Sequence, residues 1–419
     1  MTRASEGASA ATSRPSTLPD AVGTGLSSVV GAGIFVALAP AAMAAGDQLL
    51  PAVLLAAAVV ALNAASAARL AVSSRAPLGT HVHGRDRLGV AWGHLSGWAF
   101  VVGAVSAAAA LALTLGMHLL PGFPKVVAVA AVLGALGLHL QGITRSTRGE
   151  GVLAALAVVV LLVFVVSLLA TPPVLADGRP SAPEGSGGVT GVVQAAGFVV
   201  FALTGSVRLL NQRTRGGALD RTVPRALTVS LGIVITTTLL VAFGLSRTLG
   251  TGWVAARQLP VVEAAEISAW PWLGPVLQVA AVLTAGGVLL GLVLTTSGTV
   301  AAMARDRHLP VALAVREGPH LLPRRALVVV AAFVVVSIVL VDVRQAMAFA
   351  SFCVLVHFAL LHASAWTLDP RWSRRVVPAL GLVGCLGVAA LLPWQSVVAG
   401  VLVLLLGAVI GWVRHATRE

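Results

Sequence analysis

The chain has 419 residues, 58% of them hydrophobic and only 10% charged, with a formal net charge of +13. So little charge over such a length excludes a soluble globular domain and points to a polytopic α-helical membrane protein. The basic excess does not mark a nucleic-acid partner either, because it follows the pattern of hydrophobic runs.

Residues 1–20 are rich in Ser, Thr and Ala, carry Arg3 and Arg14, and lack an apolar stretch ahead of a cleavage site. They read as a disordered cytoplasmic tail, not a signal peptide. The first hydrophobic run, Gly23 to Gly46, is long enough to cross a bilayer but has Gly31-Ala32-Gly33 in its middle. Each glycine weakens a helix by about 1 kcal/mol relative to Ala. Backbone released from a helix at bilayer depth is tolerated only against protein or a wet cavity, and the freed N–H groups suit a carboxylate. A glycine-rich packing face is the plainer reading of this run taken alone.

The hydrophobic runs predict about twelve spans, near 21–45, 50–71, 91–119, 125–143, 151–171, 189–212, 226–247, 273–302, 324–341, 345–367, 376–393 and 395–413. With the N-terminus inside, 23 of the 28 Lys and Arg residues fall on the inner side, which predicts that both termini are cytoplasmic and the protein lies in the plasma membrane. Pro77–Gly89 is read as an inner loop and Thr251–Gly274 as an outer one. These occupy corresponding places if spans six to ten repeat spans one to five upside down. The sixth run has a polar Thr204-Gly205-Ser206 near its middle, matching the glycines of the first. Paired interruptions of this kind point to an inverted-repeat transporter. The divisions expected are a tail (1–20), a first repeat (21–171), an outer linker (172–188), a second repeat (189–367), and spans eleven and twelve with the C-terminus (368–419).

Four stretches make the reading more specific: SSVVGAGIFVALAPAAMAAG in the first run, LGVAWGHLSGWAF opening the third, FVVFALTGSVRLL with DRTVPRAL across the sixth and seventh, and SGTVAAMARDRHLP (Ser297–Pro310) closing the eighth. In this order they resemble the amino acid–polyamine–organocation (APC) superfamily of permeases. The resemblance implies an all-α membrane protein with a 5+5 inverted repeat and broken helices one and six. It implies alternating-access transport of an amino acid, without catalysis or a cofactor. The substrate carboxylate would meet the first break at Val30, Gly31, Ala32 and Gly33. The amino group would meet carbonyls at the sixth, around Phe201, Ala202, Thr204 and Gly205, with the Phe201 ring folding over the substrate. Packing in the core or against lipid is the other reading of Phe201.

The chain also departs from the family. Positions where acids are common hold Val207, Arg69, Thr214 and Arg215; tyrosine is absent; and 151–171 lacks the lysine some relatives place in span five. The titratable groups left in the spans are mainly His118, His139, His357 and His362. His357, expected near mid-membrane, is the candidate for proton coupling, with a structural tie between helices as the alternative. Thr284, Thr295, Thr296 and Ser297 offer oxygens for sodium, the weaker candidate for coupling ion. Arg208 either snorkels to the inner interface or lines the exit. Pocket stretches without a carboxylate predict a neutral, apolar amino acid, moved by symport, exchange or export. A non-transporting sensor on the same fold is the rival reading. Cys353 and Cys385 lie in apolar runs and read as packing residues, and no metal-ligand spacing is present.

Overall fold

Inside a bilayer no water meets backbone N–H and C=O groups, so each hydrophobic run must close its own hydrogen-bond ladder. The computed structural model describes residues 22–23, 25–27, 33–73, 82–142, 147–173, 181–182, 186–204, 222–316, 322–369 and 371–416, and every regular element among them is helical. In chain order the α-helices are α1 (Gly33–Ala45), α2 (Leu49–Ser73), α3 (Val82–Leu88), α4 (Val90–Leu119), α5 (Pro124–Leu140), α6 (Thr147–Ala170) and α7 (Gly188–Leu203). They continue with α8 (Thr222–Thr248), α9 (Thr251–Ala255), α10 (Pro260–Glu266), α11 (Leu273–Arg305), α12 (Arg324–Leu340), α13 (Val343–Trp366), α14 (Trp372–Ala390) and α15 (Trp394–Ala416). Among the described residues, eight helical stretches are long and apolar enough to cross a membrane; Pro124–Leu140 and Gly188–Leu203 are shorter apolar helices.

Two expected loops contain helix. Pro77–Gly89 holds α3, and Thr251–Gly274 holds α9 and α10. α3 is polar, and α9 and α10 have only five and seven residues, which hides all three from a hydropathy reading. α3 sits close on α4 because glycines meet there: a Cβ on Gly84 would lie 3.2 Å from Gly93 Cα.

Two apolar clusters form the interior. One joins residues of α1, α2, α6, α7, α8 and α13; the other joins α4, α5, α11 and α12. Phe201 and Val343 pack against both. Small side chains let the helices approach, the usual means of association in lipid. A Cβ on Gly103, for example, would stand 2.9 Å from Cys353 Cβ. Cys353 and Cys385 are both buried with free thiols.

Polar contacts gather at the two ends of the bundle. At one end Arg85 Nη1 pairs with Asp306 Oδ2 at 3.0 Å, and Arg69 Nη1 donates to the Arg374 carbonyl at 2.7 Å. At the other, Arg257 pairs with Glu263 at 3.1 Å and Lys125 Nζ donates to the Val339 carbonyl at 2.8 Å. All but the Arg257–Glu263 pair, which lies within one loop, join segments that alternating helix directions bring to the same side.

Candidate functional site

α1 and α7 have 13 and 16 residues. At 1.5 Å per residue these described stretches are about 20 and 24 Å long; residues 28–32 before α1 and 205–221 after Thr204 lie outside the described residues. They run antiparallel, with contacts near both ends. At one, the Gly187 N–H donates to the Ala44 carbonyl at 2.9 Å. At the other, the first residue of α1 meets the last turn of α7: a Cβ on Gly33 would lie 2.5 Å from Ala202 Cα and 2.8 Å from Ala202 Cβ. Gly33 is therefore required by close approach, whatever else it does.

This contact brings unlike chemistry together. The first N–H groups of a helix and its last C=O groups have no partner within the helix. A helix start carries partial positive charge and a helix end partial negative charge. At the end of α7 the Thr204 hydroxyl donates to the Phe201 carbonyl at 3.0 Å. Ala202 is buried, and Phe201 and Thr204 are half-buried. Of the expected substrate contacts, Gly33, Phe201, Ala202 and Thr204 are described and lie on these two helix ends. Val30, Gly31, Ala32 and Gly205 lie outside the described residues, as do Val207, Arg208, Thr214 and Arg215.

His357, on α13, faces α4. Its Nδ1 is 3.0 Å from Ser96 Oγ and 3.1 Å from the Ser96 carbonyl oxygen. A carbonyl only accepts, so that bond requires a proton on Nδ1 and leaves Nε2 of the neutral ring with a bare lone pair. Nε2 is buried without a hydrogen-bond partner among the described residues. The Phe100 and Phe358 rings lie 5.6 and 6.0 Å from the imidazole. Ser96 is about 9 Å of helix rise from the start of α4, so the pair lies toward the end of the bundle where Arg85 and Asp306 meet.

The other histidines bond to neighbours. His362 Nδ1 is 3.0 Å from Ser66 Oγ, His139 Nε2 is 3.0 Å from the Leu290 carbonyl, and His118 Nδ1 is 2.9 Å from the Thr114 carbonyl. His118 also meets the Phe35 ring edge to face at 6.4 Å. Thr284, Thr295, Thr296 and Ser297 each donate to a carbonyl four residues earlier on α11, at 2.7–2.8 Å. Their hydroxyl hydrogens thus serve their own helix. Ser96 was missed by the sequence reading. It lies in LGVAWGHLSGWAF, but nothing in that stretch shows that it pairs across to α13.

The amino acid permease family model matches residues 17–418. The chain is 43% identical over 410 residues to uncharacterized transporters of Mycobacterium tuberculosis and Mycobacterium bovis, covering 96% of this chain and 92% of each relative. It is 25% identical over 423 aligned positions to the branched-chain amino acid permease BcaP of Bacillus subtilis, covering 92% of this chain and 90% of that one. Helices of membrane-spanning length and a family match along nearly the whole chain agree on one conclusion: this protein is a multi-pass membrane transporter belonging to the amino acid permease family of the APC superfamily.

Proposed function

We propose that the protein is a secondary transporter that carries a neutral, apolar amino acid across the plasma membrane by alternating access. The substrate lies where the start of α1 faces the end of α7. The observation that carries this reading is the close contact of Gly33 on α1 with Ala202 on α7. N–H groups there suit the carboxylate, and carbonyls suit the ammonium. The name of the Bacillus subtilis relative, a branched-chain permease, supports an aliphatic side chain.

On this reading α1 and α7 are the outer halves of broken spans one and six, within a 5+5 inverted repeat of a twelve-span chain with cytoplasmic termini. The pattern of helix neighbours supports the repeat. α4 packs on α5 and α13 as α11 packs on α12 and α6, while α2 packs on α13 as α8 packs on α6. The helix in the second loop of each half does likewise, α3 against α4 and α10 against α11. His357 is the proton acceptor, through its buried Nε2 lone pair. Counterflow in proteoliposomes tests the function: preloaded leucine, isoleucine or methionine drives uptake of labelled leucine, and lysine does not. Failure of every neutral amino acid to exchange overturns the reading.

A further inference from the structure

A cavity that shares no residue with the proposed substrate site opens where the start of α4, the turn after α11 and the last turns of α15 come together. Its volume is about 260 Å³, and its lining includes Trp92, His94, Leu95, Arg307, His308 and Trp412. Beneath it α15 is seated firmly on α4. Trp98 Nε1 donates to the Val403 carbonyl at 2.9 Å and His94 Nε2 is 2.8 Å from the Gly407 carbonyl oxygen. Gly407 and Gly411 permit this approach, because a Cβ on either would run into the Trp98 or His94 ring.

Arg307 forms one wall at a cost in backbone conformation. Its φ is +59°, in the left-handed region. There its N–H donates to the Ala304 carbonyl at 3.0 Å, and the His308 N–H donates to the Met303 carbonyl at 2.8 Å. Together these bonds close α11 in the pattern that glycine ordinarily completes without strain. The turn's own hydrogen bonds use only backbone, and Arg305 already supplies a cation to the last turn of the helix. Beyond the backbone cap, arginine at 307 adds a permanent positive charge to the lining of an aromatic cavity. The next residue, His308, is buried, with its ring 5.2 Å from that of His94.

We propose that this cavity binds the phosphate headgroup of an anionic phospholipid, with Arg307 as its main contact. The planar, permanently charged guanidinium matches phosphate oxygens in pairs. Trp92 and Trp412 are 50% and 72% exposed, as expected of rings at headgroup level. Leu95 and the apolar wall beside it give an acyl chain a surface that a free phosphate does not need. The same end of the bundle carries Arg69, Arg85, Arg305 and Arg374, which adds attraction toward an anionic leaflet.

The test is thermal unfolding of the delipidated full-length protein in detergent, titrated with phosphatidylglycerol, phosphatidylcholine or inorganic phosphate. Arg307→Gly is the informative variant, because glycine relaxes the backbone while removing the guanidinium. Phosphatidylglycerol is expected to stabilise the wild type, with phosphatidylcholine and inorganic phosphate well behind. Arg307→Gly is expected to be at least as stable without lipid, and its apparent affinity for phosphatidylglycerol to fall about tenfold or more, as for loss of a charge-assisted contact. Equal response to phosphatidylcholine, an equal shift from inorganic phosphate, or an undiminished lipid response in Arg307→Gly each overturns the proposal.

Discussion

The α1–α7 contact and the α4–α13 contact both lie inside the bundle, and they are built from opposite materials. At the first, glycine and alanine bring two helix ends together, and the polar chemistry belongs to the backbone. At the second, the helices run past one another uninterrupted, and the polar chemistry belongs to His357 and Ser96. A helix end presents fixed partial charges that do not titrate at physiological pH. An imidazole changes its charge in that range. On the proposed function the two contacts have different tasks: holding a zwitterion at α1–α7, and taking up a proton at α4–α13.

The largest effect is expected at Gly33. Gly33→Val should abolish uptake while the protein still reaches the membrane, since the β-branched side chain would stand in the space held by Ala202. Normal transport by this variant, measured against its membrane abundance, would break the comparison at its first term. Next is Phe201→Ala. If the ring covers the substrate, affinity should fall by about 1–3 kcal/mol, or roughly 5- to 150-fold. An unchanged apparent affinity with a lower unfolding temperature would leave Phe201 only as a bridge between the two apolar clusters.

His357→Gln sharpens the second term. Glutamine keeps a hydrogen bond to Ser96 but cannot take up a proton. Accumulation driven by a pH gradient should be lost, while exchange of labelled for unlabelled substrate continues. Ser96→Ala should do much less, because its carbonyl still bonds Nδ1. Unimpaired accumulation in His357→Gln would make the residue a tie between helices.

The smallest effect is expected outside both regions, at Asp369. Its carboxyl is held below the usual carboxylate range, chiefly by the Arg371 N–H, with Arg374 assisting against some desolvation. A lowered value in the folded protein means that its stabilisation is complete above the unfolded-state pKa and fades as pH falls through the folded one. Asp369→Asn should therefore lower the unfolding temperature slightly at pH 7, with the gap closing as pH falls below the ordinary carboxylate range. A gap independent of pH would show that the carboxylate charge is not what matters.

How far the sequence disclosed this architecture depended on which force each feature answers to. Long apolar runs answer to the bilayer, so most helices lie close to where hydropathy puts them. α3 escaped notice because its sequence, with His83, Arg85, Asp86 and Arg87, is polar and its helix is held by packing at Gly84 and Gly93. Gly33 could be read as special, but not that Ala202 is what it must clear. The pairing of His357 with Ser96, 261 residues apart, depends on the register of two helices that no local pattern encodes. Arg307 gives no sequence signal of its left-handed backbone, since that position is ordinarily glycine.

The central claim is that helix-end backbone groups at α1 and α7 hold both charges of an amino acid. The most direct measurement is competition against labelled leucine on the purified protein, using leucine, its amide, 4-methylpentanoate and isopentylamine. These analogues keep an aliphatic body and alter or remove one charged group each. The account predicts that leucine competes and that all three analogues are weaker by about tenfold or more, the loss expected when a charged hydrogen bond is removed. If the amide, acid or amine competed as well as leucine, the two helix ends would not be holding a zwitterion.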